Sequence, residues 1–237
     1  MRKGPFLSIY HQMLRLIWCL RMKNKDLSKV LFVDETSVRI RDLPIYQWRT
    51  PSSYPEASSI TSGVKKKLNV FGGISYKGAT KFAVRFSKIL SIYIWSANLV
   101  LNNGKVFKQN MDANLYSIII KKFVLPFAAA EYDFDCTIHQ DNDPKHNSLL
   151  CRNLLERFNI EWIRAPPNSP DLNVIEMLWN ALQTKVRSEK CTTAEEVGQA
   201  IHDFQMSLTA EKCRKYIDKL PSIIEKVIEK NGGWSNN

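Results

Sequence analysis

The stretch Lys29-Val30-Leu31-Phe32-Val33-Asp34-Glu35-Thr36 decides the fold class, because a short apolar run ends abruptly in two carboxylates. Such a run predicts a buried strand whose last residues open onto a site. A second segment, Cys136-Thr137-Ile138-His139-Gln140, is also predicted to be a strand and is followed directly by Asp141. The sequence therefore predicts two strands that each end at an aspartate.

Regular structure can be predicted on both sides of this stretch. Further strands are expected at 37–40, 68–75, 80–86 and 160–163, with a turn at Tyr76-Lys77-Gly78. Helical spacing or capping signals predict helices over residues 5–24, 112–127 and 145–158. Strands first, and then strands alternating with helices, favour an α/β domain in which helices cover a mixed sheet.

A third carboxylate belongs to a predicted helix that follows a proline-rich loop. Pro170 fits the first turn of this helix and Ser169 its N-cap. An apolar stripe then recurs at helical spacing, while Glu176, Asn180 and Gln183 share a neighbouring face. The stripe consists of Ile175, Leu178, Leu182 and Val186. Two or three more helices are expected up to Asn231.

Composition limits the function classes. Thirty-four Lys and Arg residues against 23 Asp and Glu give a net charge of +11, which suits a protein that binds phosphates but also fits ribosomal and membrane-surface proteins. The five cysteines lack the spacing of zinc or redox motifs, so reduced structural thiols are expected. The apolar stretch 89–101 is too short to cross a bilayer, and no leader with a cleavage site is evident. An intracellular protein without a membrane span is therefore predicted.

The chemistry follows from the three carboxylates taken together. Carboxylate oxygens are the ligands that Mg²⁺ and similar hard cations prefer. Two such ions about 3.5–4 Å apart can activate an attacking oxygen and stabilise a leaving oxygen at phosphorus. Taken singly, an aspartate at a strand end is more often a turn former, and Glu176 fits an ordinary exposed helix charge. Only the joint pattern of Asp34, Asp141 and Glu176 favours a metal site.

Three blocks of sequence resemble the signatures of Tc/mariner-type transposases. They are Val33-Asp34-Glu35-Thr36, Gln140-Asp141-Asn142-Asp143-Pro144-Lys145-His146 and Ser169-Pro170-Asp171-Leu172-Asn173-Val174-Ile175-Glu176-Met177-Leu178-Trp179. They occur in the family's order, and 34 residues separate Asp141 from Glu176, a spacing like that of the Tc branch. The resemblance extends from the first strand to the terminal helices.

The resemblance implies a ribonuclease-H-like α/β fold, with a mixed five-stranded sheet flanked by helices, that cleaves DNA and transfers strands during transposition. It implies two Mg²⁺ or Mn²⁺ ions held by Asp34, Asp141 and Glu176. In that scheme Asp34 bridges both ions, Asp141 holds one, and Glu176 completes the other while orienting the nucleophile. The implied partner is double-stranded DNA, as transposon ends and target. Whether the protein forms a homodimer stays open, and a nuclear location is expected.

The resemblance also predicts a domain division. Residues 1–28 are interpreted as a linker helix left from a helix-turn-helix region, residues 29–231 as the catalytic domain, and residues 232–237 as a frayed tail. Between about 86 and 105 the chain is longer than the family pattern, which suggests an insertion.

Several neighbouring residues and two other functions stay open at this stage. Lys65, Lys66 and Lys67 can bind DNA phosphates or be solvated, while Lys145 and His146 can contact phosphate or, for the histidine, satisfy a buried group. The remaining motif residues are expected only to support the site: Glu35 and Asp143 point elsewhere, and Asn173 and Trp179 position the helix. The alternative functions are a catalytically inactive, transposase-derived DNA-binding protein and a ribonuclease or repair nuclease on the same fold.

Overall fold

The computed structural model describes residues 6–40, 67–86, 89–93 and 112–235, and the structural statements below concern these residues. They form seven strands: β1 Val30–Arg39, β2 Lys67–Ser75, β3 Gly78–Ala79, β4 Ala83–Phe86, β5 Ile89–Tyr93, β6 Thr137–Gln140 and β7 Glu161–Arg164. They also form eight α-helices: α1 Ile9–Met22, α2 Ala113–Ile119, α3 Leu125–Tyr132, α4 Leu149–Arg157, α5 Ile175–Ser188, α6 Ala194–Met206, α7 Ala210–Ile217 and α8 Leu220–Glu229.

The strands form one mixed sheet in the order β5-β4-β2-β1-β6-β7, with β3 paired to β2. The pairs β1–β2, β2–β4 and β4–β5 are antiparallel, whereas the pairs β1–β6 and β6–β7 are parallel. The predicted mixed sheet is confirmed. Its predicted count of five is too low for the described part, because β5 extends the sheet beyond β4 and the short β3 follows the turn after β2. Strand β5 begins the stretch interpreted as an insertion, most of which lies outside the described residues.

Strand β1 is one continuous strand, so the prediction that it ends at Asp34 and restarts at Ser37 is wrong. Its partner β2 pairs with it from Phe32 to Arg39, and this ladder satisfies the backbone through the polar segment. On the other side, β6 pairs with β1 only as far as Phe32. Asp34 is therefore held inside a strand at the point where one neighbour stops.

Helices cover both faces of the sheet, as predicted. Alternating side chains of β1 feed two cores, with Phe32 on one face and Leu31 and Val33 on the other. The first core contains side chains of α1 and α5 to α8, and the second those of α2 to α4. Each face of β1 is thus fixed by apolar burial up to the site, which leaves little freedom to the carboxylates that follow.

Residues Ala113–Tyr132 form one continuous helical segment that includes a π-helical turn at Ile120–Val124. By length and composition alone this segment could cross a membrane. In the described fold, however, Tyr116, Val124 and Ala128 are buried in the second core. The segment therefore packs as a core helix.

Two helix starts differ from the sequence prediction. Helix α4 begins at Leu149 rather than Lys145, because the Ser148 side chain accepts a hydrogen bond from the Cys151 amide and caps it there. Ser169 caps no helix. Its hydroxyl donates to the Pro167 carbonyl, a single 3-10 turn follows at Pro170–Leu172, and α5 begins only after a break.

The tail is ordered from Gly232 to Ser235, so the predicted fraying is wrong for these residues. Gly232 has φ +87°, and a Cβ there would lie 1.9 Å from the Gln12 carbonyl oxygen. Only glycine allows the chain to pass so close to α1. The fully buried Arg15 then donates to the carbonyls of Gly232 and Gly233. The first helix and the tail therefore pack together.

Candidate active site

Asp34 and Asp141 lie side by side because β1 and β6 are parallel. The last pair in their shared register is Phe32 with His139. Two residues further along each chain, Asp34 is level with Asp141. The sheet therefore brings together two aspartates that are 107 positions apart in the sequence.

The break before α5 brings the third part of the motif to the same place. Asn173 lies between the 3-10 turn and α5, with extended backbone, and its side-chain amide donates to Asp34 Oδ2 at 2.8 Å. Glu176 follows in the first turn of α5 and is half-buried. A helix running continuously from Pro170 would not give Asn173 this backbone conformation. Trp179, fully buried against Phe82, packs the same helix onto the sheet.

The electrostatics of Asp34 are unusual for a carboxylate. Burial raises the pKa of the Asp34 carboxyl to about 7. The negative charges of Glu176, Asp141 and Glu35 raise that pKa too, whereas a hydrogen bond from the Glu35 amide at 2.6 Å opposes them. Burial also raises the pKa of Glu176. Among the described residues, no cationic side chain pairs with Asp34 or Glu176.

Asp141 has a different environment. His146 Nδ1 lies 2.5 Å from Asp141 Oδ1, and its Nε2 lies 3.6 Å from Glu35. Burial raises the pKa of Asp141, but His146, a hydrogen bond from the Asp143 amide and the charge of Lys145 together lower it below its usual value. Lys145 Nζ lies 3.1 Å from Glu35 and 2.7 Å from Asp143. The two basic residues therefore balance the acidic residues beside the site, not Asp34 itself.

These contacts decide between the alternatives for the neighbouring residues. His146 is buried, bridges two carboxylates, and lies against the Tyr116 ring with the ring centroids 4.1 Å apart, which favours its buried role over phosphate contact. Lys145 is held by two ion pairs. Glu35 does not simply point elsewhere, since it anchors both basic residues. Of the lysine run, Lys67 is exposed at the start of β2, and 65 and 66 lie outside the described residues.

Tyr116 is a supporting residue that the sequence did not reveal. Its hydroxyl donates to Gln140 Oε1 at 2.6 Å, just before Asp141, and its ring contacts His146. In the sequence, Tyr116 is one aromatic residue in an apolar helix. No local signal distinguishes it from an ordinary core side chain.

The donor set fits a hard divalent cation in its chemistry. It offers carboxylate oxygens, and the mutual repulsion at Asp34 is of the kind that a bound cation relieves. The fit is not that of a closed cage: in the described parts of the chain, no three His, Cys, Asp or Glu side chains are grouped closely enough to hold an ion. What the fold does provide is a cluster of carboxylates around Asp34, in which Asp34 and Glu176 have no cationic partner among the described residues.

Comparisons with known proteins agree with this geometry. The family described as DDE superfamily endonuclease matches residues 29–198. The transposable element Tc1 transposase of Caenorhabditis elegans is 24% identical over 235 residues, covering 97% of this chain and 79% of that protein.

Among solved structures, the Mos1 transposase paired-end complex with left transposon end is similar over 100% of this chain and 67% of that one, with TM-score 0.74 and 17% identity. The match to the Mos1 transposase catalytic domain, solved with raltegravir and Mg, covers 97% of this chain and 98% of that chain, with TM-score 0.71 and 16% identity. This likeness confirms the ribonuclease-H-like fold.

Proposed function

Because the chain belongs to the DDE superfamily endonucleases, we propose that it contains the catalytic domain of a Tc/mariner-type DNA transposase. It cleaves DNA strands and joins them to a target. The substrates are duplex transposon ends and target DNA. Two copies of the chain act together on a pair of ends. A nuclear location stays a prediction.

The observation that carries this proposal is the environment of Asp34. A half-buried carboxylate with its pKa raised to about 7 is costly to keep ionised, and Asp34 lies among Glu176, Asp141 and Glu35 without a cationic partner in the described chain. A fold retains such repulsion most readily where a cation from solution relieves it. Asp34, Asp141 and Glu176 are accordingly the proposed metal-binding and catalytic residues.

Bound Mg²⁺ or Mn²⁺, two ions in the full proposal, would activate the attacking oxygen and stabilise the leaving oxygen during displacement at phosphorus. The residues of this chain set up that chemistry. Asn173 holds Asp34 Oδ2, and the Glu35 amide holds Oδ1. His146 keeps Asp141 ionised and oriented. Such fixed contacts limit the reorganisation that the site needs during reaction.

A nicking assay tests the proposal. Purified protein is incubated with labelled supercoiled plasmid in Mg²⁺ or Mn²⁺, beside an Asp141→Asn variant and an Asp203→Asn control. Asp203 is a helix carboxylate in α6, outside the site, and its replacement makes the same change of charge and shape. The wild type and the control should nick and join DNA, and Asp141→Asn should lose both activities.

Binding of Mn²⁺, measured by calorimetry, separates failure of chemistry from failure of folding. If wild-type protein melts cooperatively but neither binds Mn²⁺ nor nicks DNA, the catalytic proposal is wrong. If Asp141→Asn nicks as well as wild type, the assignment of that residue is wrong even though the chain is a nuclease.

A further inference from the structure

A polar stripe on α5 begins at the proposed catalytic residue Glu176, and its other residues have no role in the proposed catalysis. Glu176, Asn180, Gln183 and Arg187 follow one another at intervals of four, three and four residues, so their side chains share one face of the helix. The opposite face, including Leu178 and Leu182, is buried in the core. The stripe is therefore held at the surface by packing on its other side.

Strand β1 runs beside this stripe in the same direction. At one end Asn173, just before α5, contacts Asp34. Further along, Gln183 Nε2 donates to Thr36 Oγ1 at 3.3 Å. Beyond that contact, the strand and the helix enclose a cleft of about 310 Å³ lined by Ser37, Val38, Arg39, Gln183, Val186 and Arg187. The strand and the helix thus form the two walls of one groove, which lies on the far side of the Gln183–Thr36 contact from the carboxylates.

One wall of the groove is a strand edge that has no neighbouring strand in the described part of the chain. Among the described residues, β1 pairs with β6 only up to Phe32, while its pairing with β2 on the other side continues to Arg39. Half of the backbone polar groups from Asp34 onward therefore have no strand partner on that side. An extended, polar chain can be accommodated along such an edge.

The far end of the groove is basic. Arg39 and Arg187 are both exposed, and Lys67 is the cross-strand neighbour of Arg39. The Arg187 Nε donates to the Gln183 carbonyl at 2.9 Å, which fixes the stem and leaves the outer guanidinium nitrogens available. In the part of the chain that the structure describes, no carboxylate pairs with either arginine. Both guanidinium groups can therefore bind an anion from solution.

We propose that this groove binds the phosphodiester backbone of one DNA strand, with Arg39 and Arg187 contacting phosphates on one side of the reacting phosphate. The assignment rests on the proposed function, because the carboxylates mark the reacting end. Arg187 lies eleven positions after Glu176 on the helix, which corresponds to roughly 16 Å at about 1.5 Å per residue. Asn180 and Gln183 line the intervening part with neutral amides that do not repel phosphate.

The test measures DNA binding without cleavage. Binding of a fluorescent duplex oligonucleotide is followed by anisotropy in EDTA, over a series of salt concentrations, for the full chain and for Arg39→Gln, Arg187→Gln and the double variant. The slope of log affinity against log salt is negative, and removing one arginine–phosphate interaction should make it shallower by about 0.9. The same change should lower affinity roughly ten-fold at about 0.1 M salt. The slope for the double variant should become shallower by about two units.

Arg157→Gln is the matched control, since Arg157 is exposed at the end of α4, outside the groove, and its replacement removes the same charge. It should leave the slope unchanged. A double groove variant whose slope and affinity equal those of this control overturns the proposal. A slope that becomes shallower while wild-type protein fails to nick DNA would retain the groove and refute the proposed catalysis, so the two failures are distinguishable.

Discussion

Asp171 and Glu176 belong to one short segment of the chain, but one has a cationic partner and the other has none among the described residues. Asp171, in the turn before α5, receives two hydrogen bonds of 2.7 Å from Arg15, whose guanidinium is fully buried and also lies over the Trp234 ring. Five residues later, Glu176 faces Asp34 with no cationic partner among the described residues. The cluster around Asp171 is electrostatically complete and the cluster around Glu176 is not.

We infer that the difference separates structural charges from the proposed catalytic ones. An ion pair between a fully buried guanidinium and a half-buried carboxylate holds two parts of the chain together, here α1 and the tail against the turn before α5. Carboxylates that repel one another weaken the fold and are most simply explained by a cation that they bind. Because the complete cluster adjoins the incomplete one, it also fixes the turn that precedes Asn173 and Glu176.

The largest expected effect is on catalysis, at the incomplete cluster. Asp34→Asn keeps the shape of the side chain but removes the charge, so we expect strand cleavage in Mg²⁺ to fall by about three orders of magnitude or more, since a metal at the reacting phosphate is worth several kcal/mol. The same variant should fold normally. Cleavage rates from single-turnover assays, with melting curves beside them, check both expectations; retained cleavage would show that Asp34 is not catalytic.

The next effect is on stability, at the complete cluster. Arg15→Ala leaves Asp171 partly buried without its partner, so the free energy of unfolding should fall by about 3–5 kcal/mol. Lys215→Ala, which breaks the exposed pair with Glu211, is the control and should leave it unchanged. Urea unfolding measures both. Equal effects of the two substitutions would contradict the contrast between a buried and an exposed pair.

The tail contributes to the complete cluster through one glycine. Gly232→Ala places a Cβ against the Gln12 carbonyl at a positive φ, so we expect a loss of about 2 kcal/mol. Gly198→Ala, where no atom lies within 4 Å of the new Cβ in the middle of α6, should instead be neutral or stabilising. Thermal melting of both variants at one pH compares them, and a Gly232→Ala protein as stable as wild type would show that the tail is not tightly held.

The smallest effect depends on pH. The Asp34 pKa is raised to about 7 from 3.8, so the folded state holds this proton more tightly than the unfolded chain does. Stability from Asp34 is therefore present below about pH 4 and is lost as pH rises towards 7. At pH 8 without divalent metal, Asp34→Asn should be more stable than wild type by about 1–2 kcal/mol, and at pH 4 the two should converge.

The same comparison of wild type and Asp34→Asn is repeated in the presence of Mg²⁺ or Mn²⁺. Because the cation binds the ionised carboxylates of the folded protein, it should raise the melting temperature of wild type at pH 8 but not that of Asp34→Asn. Melting curves that are parallel across pH for the two proteins, and insensitive to metal, would remove the electrostatic distinction between the clusters.

Much of the fold could be predicted from the sequence because its signals are local. The short apolar run 30–33 predicted a buried strand, the segment 136–140 was predicted to be a second strand, and the stripe on α5 predicted which face is buried. The assignment of Asp34, Asp141 and Glu176 as metal-binding residues also came from the sequence, through three motif blocks in a fixed order, and it stays a prediction. Boundaries were less accurate: β1 continues through Asp34 because β2, distant in sequence, pairs with it.

What the sequence determined by itself is the set of parts: strands, helices, and acidic residues of the type that binds hard cations. What only the tertiary structure decided is how each charge is matched. Asp171 and Glu176 are both acidic residues of one motif block, yet Arg15, 156 positions before Asp171, neutralises the first and not the second. Hydrophobic periodicity is encoded between near neighbours, whereas the pairing of charges depends on which distant segments the folded chain brings within a few ångströms.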